Sequence, residues 1–203
     1  MYFFDSATHT YTDDAGIVYP GVTSCLPKND FAKDKQAAER GTAVHRMIEL
    51  YAQDDLDEDS IIPAEDQLDL RPYLDAYKSF RAQHKDAVGI CDIKTGAPMP
   101  ITVLQLAGYV KLYLEGETED CLKPPYLGYE VKLFHPIYKY AGTIDIIEVE
   151  DTKRFPVHEL QLRPDGTYRL SHDYWKDLRM NEGYFMSFMV AHRWQQKHMK
   201  GAY

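Results

Sequence analysis

The run Tyr140-Ala141-Gly142-Thr143-Ile144-Asp145-Ile146-Ile147 places a carboxylate inside an apolar, β-branched stretch that reads as a strand. A lone carboxylate buried there costs too much free energy unless a cation, a metal or a proton compensates it. Any fold open to this chain must therefore bring such a group to Asp145. Gly142, three residues earlier, allows close backbone approach. A second polar interruption lies in Val88-Gly89-Ile90-Cys91-Asp92-Ile93-Lys94, where a period of two puts Asp92 and Lys94 on one face and Ile93 in the core beneath. An arbitrary Asp-x-Lys is most often a surface ion pair of slight energy. Here the strand is apolar elsewhere and opens into Thr95-Gly96 and a Pro98–Pro100 turn, so its polar groups emerge from a rigid scaffold at a sheet edge.

The rest of the chain reads as one mixed α/β domain spanning residues 1–203. At 203 residues it can hide about 70% of the surface of its unfolded form, without disulfides or a structural metal. Residues 1–30 form an arm, with a hairpin closed near Asp14 to Gly16. Helical spacing sets in from about Phe31 to Gln53, where Val44, Met47, Ile48 and Tyr51 make one apolar stripe. An acidic loop running from Asp54 through Glu65, Asp66 and Asp69 leads to a second helix after Pro72. After the Asp92 strand comes a helix from Ile101 to Leu114, presenting Gln105 and Tyr109 at i and i+4. Strands at 126–134 and 138–149, joined around His135-Pro136, precede a hairpin of 156–162 with 168–170. Residues 174–203 are expected to form a long C-terminal helix.

Charge and cysteine content narrow the partners. Twenty-three basic against 32 acidic residues, net −9, argues against nonspecific coating of nucleic acid but leaves room for a local basic groove. Apolar runs are far shorter than the ~20 residues needed to cross a bilayer, and Met1-Tyr2-Phe3-Phe4 lacks the basic start of a signal peptide. No membrane partner is expected, and the reading is cytoplasmic. Cys25, Cys91 and Cys121 lack a CxxC pair, and three thiols are too few for an iron–sulfur cluster, so none is expected.

Gly142-Thr143-Ile144-Asp145, Asp92-Ile93-Lys94-Thr95-Gly96 and Gln105-Leu106-Ala107-Gly108-Tyr109 together resemble the PD-(D/E)XK nuclease superfamily, in its RecB-like branch of phage and recombination exonucleases. Arg40-Gly41-Thr42-Ala43-Val44-His45 resembles the helix that carries that branch's histidine ligand, and Tyr19-Pro20-Gly21-Val22-Thr23-Ser24 the lead-in of standalone phage members. The resemblance spans about residues 17 to 170. It implies a restriction-endonuclease-like core: a mixed central sheet flanked by helices. It further implies that Asp145, Asp92, the Ile93 carbonyl and His45 ligate Mg²⁺ or Mn²⁺, with Lys94 orienting or activating water and Glu130 as an additional acid. Gln105 and Tyr109, with Arg40 and Thr95, would contact DNA. The expected setting is bacterial or phage-infected host cytoplasm, with a recombination protein or a second copy as a further partner.

The chain departs from the family in order. The block from Val88 to Lys123 precedes the block from Pro124 to Asp151, and exchanging them would restore the family arrangement. Catalytic sites are defined by geometry and roles, so a rewired strand order is compatible with the same constellation. The Glu115–Pro125 connection could span roughly 30 Å if extended. Strands that relatives join by a hairpin must then pair nonlocally. The leading expectation is a metal-dependent deoxyribonuclease, an exonuclease of recombination or DNA-end processing. The alternatives are a catalytically silent nucleic-acid or protein-binding module and a rearranged nuclease-fold chain without activity.

Overall fold

A computed structural model describes residues 1–27, 35–61, 68–84, 89–97, 99–117, 126–150 and 155–198. Phe31, Glu65, Asp66, Val88, Pro98, Cys121, most of the 115–125 connection, Met199 and Lys200 lie outside the described residues. In chain order the strands and helices are β1 (Tyr2–Asp5), β2 (Thr10–Asp13), β3 (Val18–Tyr19), α1 (Val22–Cys25), α2 (Lys35–Ala52), α3 (Arg71–Gln83) and β4 (Gly89–Lys94). There follow α4 (Thr102–Glu115), β5 (Tyr126–His135), β6 (Tyr140–Val149), β7 (Val157–Leu162), β8 (Tyr168–Leu170) and α5 (Leu178–His198).

The main sheet runs β5-β6-β4-β7-β8, antiparallel except for the parallel pair β4 and β7. β4 is visited before the β5–β6 hairpin yet lies between that hairpin and β7. Ile90 of β4 pairs with Ile147 of β6, a nonlocal contact that the chain order requires. The fold is therefore mixed α/β, with helices on both faces of the sheet. Local chemistry explains the helices. Val44, Met47 and Ile48 form the buried stripe of α2, and Pro72 sits in the first turn of α3, where its missing N–H costs nothing. These two helices cover one face of the sheet through Tyr73, Leu74, Tyr77 and Phe80, packed on Cys91, Ile93, Ile146 and Leu160.

On the other face, α4 and α5 pack on Ile90, Ile144, Ile147 and Val157. Their close approach is licensed by Gly108, where a Cβ would lie 2.8 Å from the Phe185 ring and 2.9 Å from Val22. The expected C-terminal helix is interrupted near its start. The Asp173 carboxylate accepts from the Trp175 amide and caps a 3-10 turn at Tyr174–Lys176 before α5 begins. The N-terminal arm is a three-stranded sheet, β1-β2-β3. It docks on the β5–β6 hairpin through Tyr11, Tyr19, Phe134 and Ala141. Cys25 and Cys91 are buried free thiols, and burial pushes the Cys25 thiol up to about 11. No helix among the described residues is long and apolar enough to cross a membrane.

Candidate metal centre

Both strands of the β5–β6 hairpin lose their period of two at the same level. In β6, Tyr140 and Ile144 face the core under α4, as do Ile147 and Val149, whereas Ile146 faces the core under α2 and α3. Two residues therefore separate Ile144 from Ile147 where regular alternation allows one. In β5, Tyr129 packs toward α2 and α3 while Val131 and Leu133 turn the other way. Each strand carries one residue too many, so the register survives, with Tyr129↔Ile146 and Val131↔Ile144 bracketing the break. The residues at the break are Asp145 and Glu130.

Glu130 adopts φ 49°, a left-handed conformation that costs a residue with a Cβ about 1–2 kcal/mol. That local strain turns its carboxylate toward α2. Glycine is free of the penalty, so Glu130→Gly is expected to be more stable than Glu130→Ala by about 1 kcal/mol, opposite to the usual ranking within strands. Paired thermal melts of the two variants check this, and the reverse order would show that position 130 is unstrained.

The β4–β6 ladder stops at Cys91↔Ile146. Beyond it, the Asp145 carboxylate takes the place of a backbone acceptor, receiving the Ile93 N–H at 2.5 Å. His45, projecting from α2, closes the group. Its Nδ1 is 3.2 Å from Asp145 Oδ1 and 3.3 Å from Glu130 Oε1, and its Nε2 is 3.1 Å from the Ile93 carbonyl oxygen. Burial lowers the imidazole pKa, but Asp145 and Glu130 outweigh it and hold His45 well above its ordinary value. Asp145 shows the complement: burial raises its carboxyl, and His45, Lys94 and the Ile93 amide bring it below the usual carboxylate range. The His45 imidazole, 3.2 Å from Asp145 Oδ1, is thus the group placed to compensate the buried carboxylate.

One atom each from His45, Glu130 and Asp145 lies within 4.8 Å of the other two. Adjacent ligands of an octahedral Mg²⁺ at about 2.1 Å stand roughly 3 Å apart, so the 3.2 and 3.3 Å edges fit an oxygen-rich divalent-cation site. With Nδ1 facing the acids, Nε2–H donates to the Ile93 carbonyl, the orienting contact typical of a metal-bound histidine. The Ile93 carbonyl, expected as a ligand, lies 3.1 Å from His45 Nε2.

Asp92 and Lys94 form an adjoining unit on the α4 side. Lys94 Nζ lies 2.6 Å from Asp92 Oδ2, and Gln105 binds both, its Oε1 accepting from Lys94 at 3.2 Å and its Nε2 donating to Asp92 Oδ1 at 3.3 Å. Gln105 also donates to the Tyr109 hydroxyl at 2.8 Å. Burial pushes the Asp92 carboxyl up to about 6 against the pull of Lys94. Lys94 is lowered by burial, yet Asp92, Asp145 and Glu159 together raise it above the ordinary lysine value.

One expectation needs correction. Asp92 is 1% exposed on β4, the middle strand of the five, rather than emerging at a sheet edge, and its carboxylate is held by Lys94 and Gln105. Gln105 and Tyr109, expected at DNA, are 7% and 6% exposed, Gln105 bonding both members of the Asp92–Lys94 pair and Tyr109 bonding Gln105. Arg40 is half-buried, its Nε without a hydrogen-bond partner among the described residues, and it does not line the adjoining cleft. Thr95 is half-buried beside Gly41, where a Cβ would meet its hydroxyl at 3.8 Å.

The open space is a cleft of about 680 Å³ beside His45 and Glu130, walled by Phe4, Ser6 and His9 of the N-terminal sheet and by Thr42, Arg46 and Lys132. Sequence reading missed these wall residues. Arg46 follows His45 directly and Lys132 lies two beyond Glu130, but nothing local marks Phe4 or His9. Comparison with protein-family models, with curated proteins and with solved structures finds no match to this chain.

Proposed function

We propose that the chain is a divalent-metal-dependent deoxyribonuclease that hydrolyses phosphodiester bonds at DNA ends, in the cytoplasm. The observation that carries this reading is the convergence of Asp145, Glu130 and His45 at a shared break in two strands, next to the Asp92–Lys94 pair. Carboxylate oxygens and one imidazole suit Mg²⁺ or Mn²⁺, which accept phosphate oxygens as well. Such an ion, held by Asp145, Glu130 and His45, would polarise the scissile phosphate and lower the pKa of a bound water.

The remaining chemistry belongs to the side chains. Asp92 keeps Lys94 protonated, and Gln105 fixes the direction of its ammonium, so Lys94 can orient the attacking water and stabilise charge growing on the phosphate. Tyr109 holds Gln105 in turn. The buried amide and hydroxyl are thus positioning residues, acting through the pair they bind. The Ile93 carbonyl fixes the imidazole ring, and the strain at Glu130 keeps the second carboxylate aimed at it.

End-labelled linear DNA tests the reading. With Mg²⁺ or Mn²⁺ the purified protein is expected to shorten the label progressively, and with EDTA to leave it intact. A folded protein that cuts with neither metal would overturn the proposal and favour a silent binding module.

A further inference from the structure

The cleft beside the candidate metal centre has a shape and lining that point to one form of nucleic acid. Its floor is Glu130 and Thr143, one wall is the α2 face bearing Thr42, His45 and Arg46, and the other is the β1–β2 hairpin bearing Phe4 and His9. That hairpin is anchored rather than loose: the Tyr11 hydroxyl is 2.8 Å from Thr143 Oγ1, and Tyr2 Oη donates to Glu117 at 2.9 Å. The wall therefore limits what can reach Glu130 and His45. A cleft of about 680 Å³ is in the range that encloses a drug-sized ligand, roughly 300–1,000 Å³, and so one or two nucleotides; a whole double helix does not fit.

Its polar groups match a nucleotide's parts. Lys132 Nζ, held 2.8 Å from the Glu130 carbonyl oxygen and 5.7 Å over the Phe4 ring, offers a cation at the floor, and Arg46, ion-paired with Glu49 at 2.5 Å, presents its exposed guanidinium from α2. The formal charges of Arg46 and Lys132 are balanced by Glu49 and Glu130, so the cleft is no general anion trap. Among the described residues, the exposed His9 ring makes one contact, edge to face with Phe4 at 5.5 Å between centroids, which leaves it available to a base. Aromatic platforms flanked by basic side chains are how proteins hold single strands without reading sequence.

We infer that the cleft takes a single-stranded DNA segment of one or two nucleotides, its base stacked on His9 and Phe4 and its phosphate held by Lys132 and Arg46. The inference rests on the nuclease reading for its biological setting, but the binding can be measured without cleavage. Fluorescence anisotropy of a labelled short oligothymidylate and of a GC-rich blunt duplex, both in EDTA, is the experiment. The single strand is expected to bind at least ten-fold more tightly than the duplex. His9→Ala should weaken single-strand binding about five-fold or more. Phe4→Leu, which keeps the apolar packing and removes the ring, should do the same. Lys132→Ala should flatten the slope of log affinity against log salt by about 0.7. Equal affinity for the duplex, no measurable binding of the single strand, or unchanged binding by His9→Ala and Phe4→Leu would overturn the inference. Tight, His9-dependent single-strand binding by a protein that cuts with neither metal would leave it standing while the hydrolase reading falls.

Discussion

Asp145→Asn is expected to abolish metal-dependent DNA cleavage and, with it, the stabilisation of the fold by Mg²⁺ or Mn²⁺. Asparagine preserves an oxygen for the Ile93 amide, so the local backbone keeps its bond. It removes the charge that faces His45 at 3.2 Å and that a cation would need. Loss of one well-placed electrostatic contributor commonly costs about 10²–10³ in rate, and loss of a principal ligand at least as much. The second readout is thermodynamic. At a metal concentration a hundred times the dissociation constant, the native protein gains about 2.7 kcal/mol. For a chain of this size that raises Tm by roughly 5–11 °C, a shift absent from the variant. Cleavage and melting curves of both proteins, with metal and with EDTA, decide the matter. Residual cleavage near that of the native chain would remove Asp145 from the site.

The largest expected loss of stability comes from Gly89→Ala. Gly89 opens β4 at φ +71°, a conformation costing an L residue about 1–2 kcal/mol, and a Cβ there would lie 1.9 Å from the Pro156 carbonyl oxygen. That oxygen cannot retreat freely, because it accepts the Ile90 N–H at 3.0 Å and so starts the parallel β4–β7 pairing. Strain plus overpacking together cost about 3 kcal/mol or more, or roughly 6–12 °C in Tm. The same displacement would shift Asp92 and Lys94, which ride on β4, so activity should fall with stability. Gly96→Ala, where an added Cβ meets nothing within 4 Å, is the control, expected to change stability by less than about 0.5 kcal/mol. Equal melting temperatures for the two variants would show that the β4 entry tolerates a side chain.

Sequence periodicity determined the elements. The stripe of Val44, Met47 and Ile48, Pro72 ahead of α3, the β-branched runs of β4 and β6, and the turn around His135-Pro136 all follow from backbone geometry acting over a few residues. So did the pairing of Asp92 with Lys94, because side chains two apart on a strand share a face. The need for a cation, a metal or a proton beside Asp145 was equally visible, since the cost of a buried carboxylate does not depend on which fold buries it.

Tertiary structure alone decided how those groups are used. That Gln105 meets Asp92 depended on which face of α4 lay against β4, and an i, i+4 polar pair does not show which face that is. Glu130 reaches His45 because its backbone turns left-handed opposite a matching break at Asp145, and each irregularity keeps the register only in the presence of the other. The cleft wall is further still from local rules. Phe4 and His9 border Glu130 because aromatic rings far away in the chain, Tyr11 and Tyr19 against Phe134, dock one sheet on another. Contacts of that kind join residues more than a hundred positions apart, so no window of sequence short enough to carry a period could contain them.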